Sequence, residues 1–120
     1  MSDKNRAKDI LFEIVRLSGE SVRGKTRLFK VFYIAHLFYA KRSPGYLSDW
    51  PIVRMPHGPG IESADRLIAE LVEDGKLDVG QAEVGPYSEV QYRAVSQRVP
   101  ESLSLPAIEA IRDAVNFVKE

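Results

Sequence analysis

Four runs of apolar residues at helical spacing, and one run at period two, organise the chain. Ile10, Leu11, Ile14, Val15 and Leu17 form the first stripe. It predicts a helix that starts near Asp3 or Asn5, either of which can cap it, and that Gly19 closes. Residues 20–24 read as a short connection. The next run, Lys25–Arg42, spans about 27 Å at helical rise. Leu28, Val31, Phe32, Ala35, Leu37 and Phe38 make it apolar on more than one side. A helix apolar most of the way round is a buried one, so this one is expected to be the central helix against which the others pack.

Ser43-Pro44-Gly45 signals a turn, residues 50–55 a short extended stretch, and His57-Gly58-Pro59-Gly60 a rigid turn. Over residues 61–74, Ile61, Ala64, Leu67, Ile68, Leu71 and Val72 return to helical spacing. Ser63 is a cap if that helix starts late, and Gly75 stands where a left-handed residue closes it. Leu77 and Val79, then Val90, Tyr92 and Ala94, alternate with polar residues around Gly85-Pro86-Tyr87-Ser88. That pattern predicts a β-hairpin with one wet face. After a linker at 98–102, Ser104 and Pro106 open a last helix with Ile108, Ile111, Val115 and Val118 as its stripe.

The expected fold is α+β and mainly α-helical, one domain over residues 1–120. The order of helix, helix, short strand, helix, hairpin and helix is that of a winged-helix-like domain. In that reading residues 61–74 are the recognition helix and residues 80–92 contain the wing. The last helix reaches the end of the sequence without a capping residue, and a homodimer is one expectation from that.

Charge alters this picture. The net charge is zero, yet residues 1–60 hold 11 Lys or Arg against 5 Asp or Glu, and residues 61–120 hold 6 against 12. Within residues 61–74, Glu62, Asp65, Glu70, Glu73 and Asp74 stand against Arg66 alone. DNA carries about one negative charge per 1.7 Å of axis, so an acidic helix is a poor groove reader. Arg23, Lys25, Arg27 and Lys30 cluster at the start of the central helix instead. They are the candidate contacts for an anion, an acidic partner or nucleic acid. With no cysteine there is no disulfide and no thiolate metal site. The charged first twenty residues and the lack of any stretch near 18 charge-free apolar residues lead to the expectation of a cytoplasmic chain away from the membrane.

Gly19-Glu20-Ser21-Val22-Arg23-Gly24-Lys25-Thr26 matches the phosphate-loop pattern Gly-x-x-x-x-Gly-Lys-Thr. A working phosphate loop needs a strand before it and a helix after it. The spacing over residues 10–17 favours a helix, so a nucleotide site is the least favoured reading. The match is better explained as a loop and a cap, with Thr26 or Ser21 capping the central helix. His36 and His57 lack the partners for a zinc site or for acid–base work. No serine sits in a nucleophile elbow. The expectation is a chain that is not an enzyme and uses no cofactor or metal. Phe29, Phe32, Tyr33, Phe38, Tyr39, Tyr46 and Trp50 fall within 22 residues. Most belong to the core, while Tyr33, Tyr39 and Trp50 carry polar tips suited to a surface groove.

Leu28-Phe29-Lys30-Val31-Phe32-Tyr33-Ile34-Ala35-His36 resembles the Lys-Leu-Leu-Tyr-Leu-Ala-His signature of the Panacea domain, the SocA-like antitoxin family. Pro51-Ile52-Val53-Arg54-Met55-Pro56-His57-Gly58-Pro59 is similar to that family's short strand and aromatic-Gly-Pro turn, with His57 in the aromatic position. The resemblance spans residues 25–79. It implies a bacterial or phage-associated protein without catalysis, which neutralises a partner protein such as a toxin by direct contact. Lys30, Tyr33, His36, Gly58 and Pro59 carry over as signature positions, with Trp50 and His57 beside them; the lysine and tyrosine would tie the turn to the central helix. The leading expectation is therefore a non-enzymatic protein-binding module. A winged-helix DNA-binding regulator using Arg23, Lys25 and Arg27 is the alternative.

Overall fold

The structure is a computed structural model that describes residues 3–119, with the backbone alone described at Val84. The elements run α1 (Asp3–Leu17), β1 (Ser21–Arg23), α2 (Lys25–Arg42), β2 (Ile52–Met55), β3 (Gly58–Ile61), α3 (Ala64–Glu73), β4 (Leu77–Val84), β5 (Tyr87–Ala94) and α4 (Leu105–Lys119). The fold is mixed α+β, with more helix than strand. One antiparallel sheet has the order β1-β5-β4, and β2 and β3 form a separate two-stranded sheet.

The most enclosed helix is α1, not α2. Ala7, Ile10, Leu11, Phe12, Glu13, Ile14 and Val15 of α1 are all buried. It packs against α2, α3, α4, β1 and β5. The expectation that α2 is the buried central helix is corrected here. On α2, Leu28, Phe29, Val31, Phe32 and Ala35 are buried, but Tyr33 and Leu37 are 36% and 40% exposed. The apolar residues of α2 exceed what its neighbours cover. Its C-terminal half leans on α4, where Phe38 meets Phe117 edge to face at 5.8 Å. Arg42 lies 4.9 Å above the Phe38 ring and pairs with Asp113 at 2.5 Å.

A charge is enclosed with α1. Glu13 is fully buried, and Arg16 meets it in a fork, with Nε donating to Oε1 and Nη2 to Oε2, each at 2.7 Å. The matched planes of guanidinium and carboxylate make this the geometry in which a buried ion pair is tolerable. Arg6 ties α1 outward. Its Nε donates to the Leu47 carbonyl and its Nη1 to the Ser102 carbonyl at 3.0 Å, so one side chain holds both long connections. Among the described residues no buried side-chain polar atom lacks a partner.

Several local expectations change. Residues 20–24 are not a plain connection, because Ser21–Arg23 pairs with Gln91–Arg93 of β5. The turn expected at residues 57–60 is narrower. Pro56 and His57 make the turn, and Gly58–Ile61 continues as a strand on β2. A Cβ on Gly60 would fall 2.1 Å from Met55 Sδ, so a larger residue there displaces the Met55 side chain. The third helix begins at Ala64, later than Ile61, because Ile61 is held in β3 opposite Ile52. Ser63 occupies the cap position but its hydroxyl makes no capping bond. Neither Thr26 nor Ser21 caps α2. Gly24 does so with its backbone, at φ +93°, without a side-chain bond. Its N–H donates to Val90 O at 2.9 Å, and a Cβ there would meet the Glu89 carboxylate at 3.0 Å. The β4–β5 hairpin, the Gly75 turn and the Ser104 cap of α4 occur as expected.

Two stability outcomes follow from α1 as the enclosed helix. Leu11→Ala is expected to cost about 2–5 kcal/mol, and Leu37→Ala on α2 under about 1 kcal/mol; equal losses in denaturant unfolding would contradict this assignment. Arg16→Ala strands the Glu13 carboxylate without its partner and is expected to cost about 3–5 kcal/mol, measured the same way.

Candidate functional site

Most of the residues singled out in the sequence lie on or beside α2, but on different sides of it. His36 and Trp50 belong to a chain of hydrogen bonds. The Phe32 carbonyl, 2.8 Å from His36 Nδ1, can only accept, so Nδ1 carries the proton. The bare Nε2 then accepts from the Ser48 hydroxyl at 2.7 Å. The same hydroxyl accepts from the Trp50 backbone N–H at 3.3 Å. The Trp50 indole N–H donates to the Glu62 carbonyl at 2.7 Å. Together these bonds tie α2 to the 43–51 connection and onward to the start of α3. With both nitrogens of His36 engaged and His57 exposed in the β2–β3 turn, the two histidines play separate parts. Burial lowers the His36 pKa against the opposing pull of its bond to Phe32, so the neutral ring is favoured.

Arg23, Lys25, Arg27 and Lys30 do come together. With Thr26 they line an open groove of about 580 Å³, which Glu89 and Val118 close from the other side. All four cations are exposed. Tyr33, Gly58 and Pro59 meet in a second groove, of about 460 Å³, along the four residues of β2. Tyr33 and the Gly58–Pro59 end of the turn thus line the same groove. Lys30 belongs to the basic groove instead. The phosphate-loop reading is overturned by the local fold. Residues 10–17 are helix where a strand is required, and Lys25 Nζ reaches Asp65 at 3.2 Å. Among the described residues no cluster of three metal-ligating side chains occurs, and no helix is long and apolar enough to cross a membrane.

A third groove, of about 670 Å³, lies between α3 and the β4–β5 hairpin. Ile68, Ala69 and Val72 line it from α3, and Val79, Val90 and Tyr92 from the hairpin. Val79 and Tyr92 are paired across the ladder, which puts both on one face. Val72 and Val79 are 40% and 41% exposed. Sequence reasoning missed this groove because both valines sit in apolar stripes and read as core.

The acids of α3 divide between two sides. Glu70 bonds Lys4 and Lys8, and Asp74 bonds Lys8. The Lys4 bond lowers the Glu70 pKa and the Lys8 bond lowers that of Asp74. Burial opposes the charge on Lys8, yet its bonds to Asp74 and Glu70 leave its pKa raised. Asp65 and Glu73 line the groove on the hairpin side. Burial, with the Asp65 charge adding to it, raises the Tyr92 pKa.

No protein-family model, curated protein or solved structure matches the chain.

The His36 bonds generate a pH dependence. A histidine whose pKa is depressed on folding adds stability above its unfolded value, 6.5, and loses it as pH falls through the lower folded value. Thermal melts from pH 7.5 towards about 5 should fall for the parent chain and fall less steeply for His36→Gln. Parallel curves would remove His36 as the cause.

Proposed function

We propose that this chain is a non-enzymatic protein-binding module built on a winged-helix arrangement. In this reading α1, α2 and α3 are its helices, α3 occupies the recognition position, and β4–β5 is the wing, with β1 paired onto it. The carrying observation is the character of α3 and the groove beside it. Asp65 and Glu73 are exposed on α3, with Glu62 exposed just before it, and the groove is floored by apolar side chains. Acid repels a phosphate backbone, and apolar side chains left open to water at a groove centre suit a protein contact. The likeness of residues 25–79 to the Panacea antitoxins supports the same class of function. It points to a bacterial or phage toxin–antitoxin setting in which the partner is a toxin neutralised by contact.

One observation favours a second reading. Arg23, Lys25, Arg27 and Lys30 share one groove, which suits contact with nucleic acid at a place other than α3.

A labelled random-sequence duplex, titrated at low and moderate salt, separates the two. A protein-binding module predicts weak binding at low salt that triple substitution Arg23→Glu, Arg27→Glu, Lys30→Glu leaves without consequence for partner capture. The nucleic-acid reading predicts affinity that falls by about tenfold or more over that salt range and vanishes in the triple variant. In parallel, capture from the native host after nuclease treatment should retain one stoichiometric protein, lost on Val79→Lys. Retention of that protein by Val79→Lys would sink the assignment to the α3–hairpin groove.

A further inference from the structure

We infer that the groove between α3 and the β4–β5 hairpin takes a cationic amphipathic segment of a partner protein, with aliphatic side chains in its centre and Lys or Arg at its ends. This rests on the protein-binding reading above and adds the chemistry of the partner.

The centre of the groove is apolar. Ile68 is 7% exposed and Tyr92 2% exposed, forming a floor, while Val72 and Val79 stand open on either side. Burying two such valines under a partner is favourable in proportion to the area removed from water.

Its edges are acidic. The Asp65 side chain is 86% exposed, and Glu73 is exposed one helical turn beyond Ala69. Further along the hairpin, Glu83 lies on the same face as Val79, since the two are four residues apart on a strand. Lys25 is the cation lining the groove, and it is engaged by Asp65. Among the described residues Glu73 is in no ion pair. The other acids of α3 are matched elsewhere, Glu70 and Asp74 by Lys4 and Lys8 on α1.

An apolar centre beside carboxylates that outnumber the one cation lining the groove discriminates by sign. An acidic segment or a phosphate backbone meets repulsion at the rim, while Lys and Arg lay their methylenes on the valines and put their charges beside the carboxylates.

The test uses the whole chain and four labelled probes in anisotropy titrations: an amphipathic Leu/Lys peptide, its Leu/Glu counterpart, a Ser/Lys peptide, and a random-sequence DNA duplex. The Leu/Lys peptide is expected to bind, with Leu/Glu and Ser/Lys weaker by about tenfold. Val72→Ser with Val79→Ser should weaken Leu/Lys by about tenfold. Asp65→Lys with Glu73→Lys should invert the preference in favour of Leu/Glu. All four positions are exposed, and far-UV circular dichroism with thermal melts checks that each variant is folded. The proposal is overturned if Leu/Glu or Ser/Lys binds as tightly as Leu/Lys, if no peptide binds, or if the charge reversal leaves the preference unchanged.

The outcomes also separate this inference from the reading beneath it. Failure of every peptide, with the captured host protein still lost on Val72→Ser and Val79→Ser, overturns the segment chemistry and leaves the protein-binding module standing. Salt-dependent duplex binding that survives the groove variants and disappears in the Arg23, Arg27, Lys30 variant overturns both. A concentration-dependent dimer in sedimentation, abolished by the valine substitutions, would assign the groove to a second copy of this chain and overturn the inference.

Discussion

Enclosure of α1 around residues 10–15 is the constraint from which the remaining arrangement follows. A helix whose residues 10–15 are all buried, with Phe12, Leu11 and Ile14 at or near zero exposure, needs neighbours all round that stretch, and two helices cannot supply them. α2, α3, α4 and strands of the main sheet all close on it. The same enclosure covers Glu13, which is why Arg16 must stay folded back over the helix to meet the carboxylate. The linker before α4 is held because Arg6 and Asp9, on the polar margin of α1, bond to Ser102.

Packing of α3 on α1 also decides what the molecule shows to its surroundings. Lys4 and Lys8 neutralise Glu70 and Asp74 at the α1–α3 seam. The acids that remain are turned towards the hairpin. On that side Lys25, from the first turn of α2, reaches only as far as Asp65. The basic groove and the acidic, apolar groove therefore adjoin, with Lys25 and Val90 lining both. Neighbouring surfaces of opposite sign give a partner an orientation as well as a contact.

The small β2–β3 sheet is held by a different device. It shares no strand with the main sheet; β3 packs on α2, and the bonds through His36, Ser48 and Trp50 to the Glu62 carbonyl tie the segments that flank it. His36 and Trp50 thus act here as ties.

Local periodicity determined much of this fold by itself. The stripes at Ile10–Val15 spacing, the alternation on either side of Gly85-Pro86, and the Ser104–Pro106 start each report on one element, and each element formed close to where its pattern placed it. The acidity of α3 and the basic start of α2 were also legible, because charge sums need no coordinates. Only the tertiary structure decided which helix is enclosed. The pattern of α2 counts more apolar positions than its neighbours cover, whereas Phe12 and Glu13 lie off the apolar stripe of α1 and are buried by the elements that wrap it. Only tertiary structure made a strand of Ser21–Arg23, since three residues have no period and need β5 to supply their hydrogen bonds. It also decided the candidate site. Val72 and Val79 look like core in one dimension, and become a groove because α3 and the hairpin diverge and leave them facing water across the gap.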